Sequence, residues 1–531
     1  MPHPSPTPTG FPSPIIIIGL PATIASACHQ LEALGGAAPK IAGCIALEGA
    51  SGQGATGIPA TAPILGSLSD LPAICDKHHP RAALVSLPLA MSGAISRVRA
   101  ELRGCSLAER FLPTIADALT HDGMLARPGR ANFDFAALIG RPVRPTNTEN
   151  ARRVIAGRRV LITGAGGSIG SELARRCADL QPSLLVLMDR SENALFEIER
   201  QIAASFPEIA LQRVLHDVVD EAATMRLFRE FRPEVVFHAA AHKHVPMMED
   251  HPAAAVNNNV FGTKSVADAA LAVGTRRFVM VSTDKAVNPT SVMGSTKRIA
   301  ELYVRSLNQI ARRDPEARQH FSLVRFGNVL GSACSVLPIW TAQLAEGQPI
   351  TVTHPDMTRY FMSIPEAAAL VIQAATIEKS DSHGDEVFVL DMGEPVRIAE
   401  LAERFVLSQG LRPRWEDAFG KPIGRLEGQP APGHPSNLAE IPIRFTGARP
   451  GEKLHEELAY QAEELALTSV PGILGWSGDL PDQTDVERII EDLQRVRNAA
   501  EARPVLDAIR THVPRSTTLS GVCSVPEASA A

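Results

Sequence analysis

The chain has 531 residues, of which 45% are hydrophobic, and a formal net charge of −6. This length exceeds what a single hydrophobic core supports, so we expect two or three folded domains. No block of lysine and arginine indicates a nucleic-acid surface. The seven cysteines form no CxxC pair, which argues against structural zinc or a disulfide framework and favours a reducing cytoplasm.

The N-terminal segment 1–14 is rich in proline, serine and threonine and lacks the basic region typical of a signal peptide. The apolar run Ile15–Leu20 that follows is far shorter than the roughly 20 residues that cross a bilayer. We therefore predict no membrane insertion.

Strands and helices alternate from residue 14 to about residue 130, which predicts an N-terminal Rossmann-like α/β domain. The loop after its first strand has Gly19 but lacks the later glycines of a dinucleotide-binding loop, so a structural role is favoured there over cofactor binding. The predicted elements are a strand over Ile15–Leu20, a helix over Ala22–Leu34, a strand over Lys40–Leu47, a helix over Ser69–Lys77, an apolar run over Ala82–Leu87 and a helix over Ser96–Leu102.

A linker predicted over Arg141–Arg153 leads into a stronger α/β series. Its spacing predicts a doubly wound parallel sheet over residues 150–344. A smaller substrate lobe with C-terminal helices is predicted over 345–512, and a disordered tail over 513–531. The predicted strands are Val160–Thr163, Leu184–Met188, Val235–Ala239, Phe278–Ser282 and Ser322–Phe326.

A glycine-rich loop, Thr163-Gly-Ala-Gly-Gly-Ser-Ile-Gly170, follows the first of these strands and opens a helix predicted over Ser171–Leu180. Gly164 permits a tight turn, Gly167 lets the backbone approach a pyrophosphate, and Gly170 allows close packing of the helix. The helix N-terminus supplies amide donors to the anion. The loop therefore predicts a dinucleotide site, with a purely structural turn as the alternative.

The next strand ends at Asp189, about 20 residues beyond the loop, where a carboxylate accepts hydrogen bonds from the adenosine ribose. This position favours NAD as the cofactor. Arg190 could instead pair with a 2′-phosphate, so NADP is the alternative. Asp217, which follows a third strand, is placed either to contact the adenine or to lie in a solvated turn.

The reacting centre departs from the usual Tyr-x-x-x-Lys pair of short-chain dehydrogenases, in which the lysine lowers the phenol pKa for proton transfer. In its place stands Met293-Gly-Ser-Thr-Lys297, and none of the three tyrosines has a lysine four residues later. Immediately upstream, Ser282-Thr-Asp-Lys285 ends a strand at the edge where open α/β sheets bind ligands. We therefore expect these side chains to supply acid and base groups.

The segment from Ser282 to Arg298 resembles the signature of the polysaccharide-biosynthesis family of UDP-N-acetylglucosamine 4,6-dehydratases, which are extended short-chain dehydrogenases. The resemblance covers about residues 140–465, and Met293 is similar to the residue of a tyrosine-lacking branch. Longer members carry transmembrane helices before an N-terminal α/β domain, and we expect none here. The other matching segments are His238–Pro246, Asn257–Thr263, Arg325–Gly331, Thr358–Phe361 and Gly447–Lys453.

The resemblance implies a cytoplasmic lyase of surface-glycan biosynthesis, which oxidises the sugar at C4 with NAD, eliminates water across C5 and C6, and returns the hydride to C6. Thr283 is then expected to hydrogen-bond the C4 hydroxyl. Asp284 protonates the departing O6, and Lys285 removes the C5 proton. Lys297 is expected to hold the nicotinamide ribose, and Met293 occupies the position of the missing tyrosine.

The candidate contacts form two sets. The expected cofactor contacts are Gly164, Gly167, Ser168, Ile169, Gly170, Asp189, Arg190, Asp217, Val218, Ala239, Ala240, Lys243, Asn259 and Lys297. The expected contacts of a UDP-N-acetylhexosamine substrate, assigned by resemblance, are Lys285, Arg325, Asn328, Arg359, Arg449 and Glu452.

Several alternatives stand beside this interpretation. Without the surrounding motifs, the Thr-Asp-Lys segment could simply cap the next helix. The histidines at 238, 242 and 244 could suggest a metal, but the interposed Lys243 repels a cation, so no metal is predicted.

A UDP-hexose 4-epimerase needs no acid at O6 or base at C5, and a non-catalytic NAD-binding regulator needs neither group. A homo-oligomer is expected only from the resemblance.

Overall fold

The computed structural model describes the chain mainly over residues 13–33, 39–47, 62–87, 148–311, 318–332, 335–377, 386–409, 411–423, 440–460, 465–476 and 480–513, with parts of 94–111. These residues divide into two compact units. The first comprises the described residues up to 111 with those of 405–415 and 440–441, and the second comprises those of 148–404, 416–423 and 442–513.

The first unit contains a parallel sheet in the order β3-β2-β1-β4-β5. Ile16 and Ile18 of β1 belong to one buried cluster, while Ile15 and Ile17 belong to another. Successive side chains of a strand point to opposite faces, so both faces of this sheet are covered. Its described elements are β1 (Ile15–Gly19), α1 (Pro21–Ala33), β2 (Ile41–Ala46), β3 (Ile64–Gly66), α2 (Leu71–His78), β4 (Ala82–Ser86) and β5 (Ala108–Phe111).

The turn between β1 and α1 is held by a side chain from the first turn of α1. The backbone amide of Leu20 donates to Thr23 Oγ1 at 3.1 Å. A Cβ atom at Gly19 would lie 2.3 Å from the carbonyl oxygen of Ser86. The glycine therefore serves the close approach of β1 and β4.

The remaining strands and helices are given in chain order. The strands are β6 (Arg159–Thr163), β7 (Leu184–Asp189), β8 (Leu211–Leu215), β9 (Val235–His238), β10 (Arg277–Val281), β11 (His320–Arg325), β12 (Asn328–Leu330), β13 (Ile350–Val352), β14 (Thr358–Arg359), β15 (Phe361–Ser363), β16 (Val387–Leu390), β17 (Val396–Arg397), β18 (Arg412–Glu416), β19 (Glu440–Phe445), β20 (Ala466–Leu467) and β21 (Ile473–Trp476). The helices are α3 (Thr148–Ile155), α4 (Ser168–Asp179), α5 (Glu192–Ser205), α6 (Glu221–Phe231), α7 (Val245–Asp250), α8 (Pro252–Ala255), α9 (Gly262–Ala272), α10 (Val292–Ala311), α11 (Val336–Ala345), α12 (Ile364–Ala374), α13 (Ile398–Ser408), α14 (Gln483–Val496) and α15 (Ala502–His512).

The large sheet of the second unit has the described order β20-β21-β16-β11-β10-β9-β6-β7-β8. The strands from β16 to β8 run parallel, and β21 and β20 add an antiparallel edge. Phe278 of β10 packs in a cluster with Leu307 and Leu493, whereas the next residue, Val279, packs in a cluster with Leu173. Helices therefore cover both faces, which confirms the doubly wound parallel sheet.

The strand order reverses between β6 and β9, and ligands of open α/β sheets bind at such a switch point, outside the carboxyl ends of the strands. The loops after Thr163 and His238 leave the sheet there. Two small strand pairs, β12 with β15 and β14 with β17, are formed by residues that follow β11 in the chain.

The strands predicted for the large sheet are confirmed to within two residues at each end. The predicted linker ends earlier than expected, because α3 begins at Thr148 and buries Ile155 completely. Helix α4 begins at Ser168 and not at Ser171, since Gly167 takes the extended conformation that precedes the helix.

The predicted helix over Ser96–Leu102 lies partly outside the described residues, and the boundary near residue 130 and nearly all of the predicted tail lie outside them. The domain boundaries therefore stay predictions. Over the described part of the chain, no helix combines the length and apolar character needed to span a bilayer.

Candidate active site

The glycine loop between β6 and α4 adopts a conformation that only small residues allow. Gly164 has a φ of +65°, and a Cβ atom on it would lie 2.8 Å from the backbone of Ala239. At Gly170 a Cβ atom would lie 2.0 Å from the carbonyl oxygen of Gly164. Gly167 is exposed at the N-terminus of α4. The loop thus leaves a cradle for an anion in front of the amides of Ser168 and Ile169.

Asp189, at the end of β7, is anchored by two backbone amides. Gly166 N donates to Asp189 Oδ2 at 2.9 Å, and Ser191 N donates to Oδ1 at 2.8 Å. A Cβ atom at Gly166 would lie 2.4 Å from that of Ala194, so this glycine, which we did not single out, is also needed. The carboxylate keeps further lone pairs for a ribose diol.

A cavity of about 460 Å³ is lined by Ser191 and His216, which follow the ends of β7 and β8, where the adenosine end of a dinucleotide is expected. Arg190 and Asp217 both line it, and Arg190 Nη2 lies 3.2 Å from His242 Nε2. Val218 does not line it. Its side chain is buried in the core against Gly262, and the cofactor contact expected of Val218 stays a prediction.

His238, at the end of β9, joins three elements at the switch point. Its Nδ1 lies 2.8 Å from Thr163 Oγ1 and its Nε2 lies 2.9 Å from Thr263 Oγ1. Burial, reinforced by the charge of Lys297, lowers the pKa of His238 to about 3. Both ring nitrogens are thus used within the protein. The described residues contain no group of three or more His, Cys, Asp or Glu side chains that could hold a metal.

The loop after β9 is shaped by Asn259, which lies in a π-helical turn over Val256–Phe261. Asn259 Oδ1 accepts from His242 N at 2.8 Å, and its Nδ2 donates to the His242 carbonyl and to Thr296 Oγ1, both at 3.1 Å. Its amide is therefore occupied, and we correct its assignment from cofactor contact to support of the loop. Ala239 and Ala240 face the Gly164 turn, and Lys243 is exposed on the same loop.

The acid and base candidates meet where β10 ends. Thr283 Oγ1 donates to Asp284 Oδ1 at 2.9 Å, and Lys285 Nζ donates to the same oxygen at 3.0 Å. Lys285 also donates to Asn328 Oδ1 at 3.1 Å. Asp284 is completely buried, and its Oδ2 has no hydrogen-bond partner among the described residues. A buried carboxyl with an open oxygen, meaning one without a hydrogen-bond partner, thus lies beside a primary amine.

Helix α10 brings the two residues of the altered Tyr-x-x-x-Lys motif beneath this centre. Met293 is buried in the core and offers no proton. Lys297 Nζ donates to the carbonyl of Val281, the last residue of β10, at 2.8 Å. Burial lowers the pKa of Lys297 to about 8.

A second cavity, of about 120 Å³, is lined by four of the predicted substrate contacts: Lys285, Asn328, Arg359 and Glu452. These residues come from separate segments of the chain. Arg359 Nη2 donates to the carbonyl of Lys453 at 2.9 Å and so secures the loop that carries Glu452. The cavity is further lined by Val245, Thr290, Ser291, Gly451, Lys453 and Glu456.

Two predicted substrate arginines lie elsewhere. Arg449 is exposed and does not line the cavity, although its backbone amide donates to Glu452 Oε2 at 3.4 Å. Arg325 is completely buried and pairs with Glu301 and Glu463, each at 2.7 Å. This burial contradicts the prediction that Arg325 binds substrate.

Glu301 is the centre of a buried network that sequence analysis missed. It accepts hydrogen bonds from Ser282 Oγ at 2.7 Å, Arg325 Nε at 2.8 Å and Arg298 Nη1 at 3.1 Å. Despite the opposing effect of burial, Arg325, Arg298 and Ser282 together lower the pKa of Glu301 to about 2. The network anchors Ser282, directly before the Thr-Asp-Lys segment. Its sequence signal was a carboxylate four residues after Lys297, on the same face of α10.

Gly170→Ala is expected to disrupt the cofactor loop, because the added Cβ would overlap the Gly164 carbonyl. We expect dinucleotide affinity, measured by calorimetry, to fall by at least about tenfold, or 1.4 kcal/mol. Gly104→Ala is the control, since nothing lies within 4 Å of a Cβ atom there. Unchanged affinity in the Gly170 variant would contradict the assigned loop.

Glu301→Gln is expected to lower the free energy of unfolding by about 3–5 kcal/mol, because it leaves the Arg325 charge buried with one partner fewer. Urea unfolding measures this change, and adding Arg325→Met should recover part of it. The depressed pKa of Glu301 stabilises the fold above its ordinary pKa near 4.5, and this contribution is lost as the pH falls toward 2. Equal stability of Glu301→Gln and the wild type at pH 7 would contradict the proposed importance of the pair.

The family model described as polysaccharide biosynthesis protein matches residues 160–476. Capsular polysaccharide biosynthesis protein CapD of Staphylococcus aureus is 37% identical over 81% of this chain and 66% of its own length. UDP-N-acetylglucosamine 4,6-dehydratase (inverting) of Campylobacter jejuni is 31% identical over 44% of this chain and 66% of its length. UDP-glucose 4-epimerase of Rickettsia canadensis is also 31% identical, over 58% of this chain and 79% of its length.

Among solved structures, Pen from Bacillus thuringiensis aligns with a TM-score of 0.51 and 28% identity, covering 61% of this chain and 88% of that one. The chain spans just under two thirds of the length of CapD. The matched region includes the cofactor loop, the Thr-Asp-Lys segment and both cavities. By this match, which extends over more than half of its length, the chain belongs to the polysaccharide biosynthesis protein family.

Proposed function

We propose that this protein is an NAD-dependent UDP-N-acetylhexosamine 4,6-dehydratase. The observation that carries the proposal is the buried Asp284 carboxyl, with one open oxygen, in contact with Lys285 at the edge of the substrate cavity. Elimination of water from adjacent carbons requires an acid for the departing hydroxyl and a base for the neighbouring proton. The relative named as a UDP-N-acetylglucosamine 4,6-dehydratase supports this assignment.

The cofactor site fits a dinucleotide. The Gly164 turn and the N-terminus of α4 suit the pyrophosphate, and the anchored Asp189 carboxylate suits the adenosine ribose. An unmodified 2′-hydroxyl is favoured by this carboxylate, so NAD is proposed over NADP. When bound, the nicotinamide supplies a hydride acceptor for sugar C4 and a hydride donor for C6.

The residues at the end of β10 divide the proton transfers between them. Thr283 hydrogen-bonds the C4 hydroxyl and passes its proton toward Asp284, to which its own hydroxyl already donates at 2.9 Å. Asp284 protonates O6 as water departs. Lys285 removes the C5 proton and later returns it to the same carbon. Lys297 contributes a buried positive charge beneath this centre and is proposed to hold the nicotinamide ribose.

Recognition of the UDP group is assigned to the loop of the second cavity. Glu452 accepts from the uridine ribose, and Arg449, exposed beside it, is free to approach the diphosphate. Arg359 acts mainly by holding the loop, since its guanidinium donates to the carbonyls of Thr358, Lys453 and Leu454. Asn328 orients Lys285.

A UDP-hexose 4-epimerase is the second candidate, because a relative of the same identity bears that name. Epimerisation needs reversible oxidation at C4 and no group acting at C5 or O6. The contact between Asp284 and Lys285 therefore favours the dehydratase. A non-catalytic NAD-binding regulator would have no use for a buried, open carboxyl oxygen, whose desolvation costs about 1–3 kcal/mol.

The first test is to incubate the purified protein with UDP-N-acetylglucosamine in deuterated water and to follow the sugar by proton NMR. We expect a new C6 methyl signal, with deuterium entering at C5, because Lys285 exchanges its proton with solvent before returning it. Conversion to the C4 epimer without a methyl signal would favour the epimerase. An unchanged sugar, even with NAD added, would contradict both enzyme assignments on this substrate.

Asp284→Asn and Lys285→Ala test the two roles. Each is expected to lower kcat by about 10²–10⁴-fold, the usual contribution of a positioned acid or base, while KM changes by only a few fold. Deuterium entry at C5 should disappear with Lys285→Ala. If either variant keeps most of the wild-type kcat with an unchanged melting temperature, the role assigned to that residue is wrong.

A further inference from the structure

Glu456 is a buried carboxyl of the substrate cavity to which the steps above give no role. Its side chain is 3% exposed, and its Oε1 lies 3.8 Å from Lys285 Nζ and 3.9 Å from Arg359 Nη2. Its Oε2 has no hydrogen-bond partner among the described residues. Burial, opposed by the charge of Lys285 and reinforced by that of Asp284, raises the pKa of Glu456.

Asp284 and Lys285 alone provide one proton-accepting group too few for the dehydratase reaction. Lys285 Nζ lies 3.0 Å from Asp284 Oδ1, and the proton count starts from an ion pair of an ammonium and a carboxylate. Oxidation at C4 releases the hydroxyl proton, which reaches Asp284 through Thr283. Asp284 is then ready to act as an acid, but Lys285 is still an ammonium and cannot remove the C5 proton. Met293 stands where the tyrosine of the usual motif would hold the extra proton.

We propose that Glu456 is the third proton site of this centre and takes a proton from Lys285 before the elimination step. The inference rests on the proposed dehydratase function. Closing the 3.8 Å separation to hydrogen-bond distance needs a movement of about 1 Å, which the partly exposed Lys285 side chain permits. Glu456 therefore acts through Lys285 and not on the sugar.

The cycle then balances. After C4 oxidation the carboxyl of Asp284 holds the C4 proton, Glu456 holds the former ammonium proton, and Lys285 is a neutral amine. Elimination moves the Asp284 proton to O6, which departs as water, and moves the C5 proton to Lys285. The hydride returns to C6 as Lys285 returns the proton to C5. Glu456 finally gives its proton back to Lys285, which restores the original ion pair.

The neighbouring groups leave Glu456 as the candidate among the described residues. A guanidinium such as that of Arg359 cannot accept a proton, and neither can the amide of Asn328. Glu452 lines the same cavity, but among the described residues it forms no hydrogen bond or ion pair with Lys285, and it accepts from the backbone of Arg449. In the described part of the chain, the carboxylates in ion-pair contact with Lys285 are those of Asp284 and Glu456.

The experiment compares Glu456→Gln and Glu456→Asp in the full chain, with UDP-N-acetylglucosamine as substrate. Glutamine keeps the size of the side chain but cannot accept a proton, so kcat should fall by about 10²-fold. Aspartate can accept one at a longer distance, so its kcat should exceed that of the glutamine variant by about tenfold. KM should change by less than about threefold in both variants. Glu457→Gln, an exposed neighbour paired with Lys453, is the matched control and should retain wild-type kcat.

The pH profile separates proton transfer from a structural role. Wild-type kcat should fall on the acid side as Glu456 becomes protonated, and the glutamine variant should lose the part of this acid limb that Glu456 contributes. Asp284, Lys285, Arg359 and Lys453, the charged groups that face Glu456, are unchanged in both proteins.

Each failure has a distinct signature. A glutamine variant with wild-type kcat, or an aspartate variant no better than glutamine, would overturn the proton-site assignment while leaving the dehydratase intact. A wild-type protein that forms no C6 methyl signal overturns the proposed function and this inference together.

Discussion

The buried guanidinium of Arg325, neutralised by Glu301 and Glu463, is the interaction on which the reacting centre depends. It joins β11 to α10 and to a segment 138 residues further along the chain, and through Ser282 it reaches the end of β10. A charge in so dry a place is tolerated only while every partner stays in position. The network therefore gives the Thr-Asp-Lys segment a rigid base, although none of its members lines the cavity of about 120 Å³.

Above this satisfied network lie two carboxyl oxygens without partners, Asp284 Oδ2 and Glu456 Oε2. Each open oxygen carries a desolvation cost of about 1–3 kcal/mol. Buried polar groups are usually paired, so two exceptions that both contact Lys285 point to chemistry and not to stability. The molecule thus places a stable ion-pair network directly beneath a set of groups whose protonation states can change.

Local rules made much of this architecture predictable. The glycine loop, Asp189 and the parallel strands follow from short-range spacing and from the backbone conformation that Gly164 and Gly170 must adopt. Arg325 could not be placed correctly in the same way. It ends a strand at the carboxyl edge of the sheet, and its pairing with Glu301 and the distant Glu463 shows that its side chain is committed to the interior.

Asn259 and Val218 illustrate two further limits of sequence. A π-helical turn is invisible to a periodicity of 3.6 residues, and it aims the Asn259 amide at the loop after β9. Val218 follows Asp217 in the chain but packs inward against Gly262. Sequence analysis missed Glu456 because its position, four residues after Glu452, does not reveal that tertiary packing removes its carboxylate from water.

The histidine bridge between Thr163 and Thr263 bears on how this protein responds to acidity. Because burial lowers the pKa of His238 to about 3, the imidazole stays uncharged across the working range of most assays. The contact between β6 and β9 at the switch point therefore carries no charge, even though it contains the residue type that most often titrates near neutrality. An inflection in a rate profile between pH 5 and 8 therefore has to be sought in groups other than this ring.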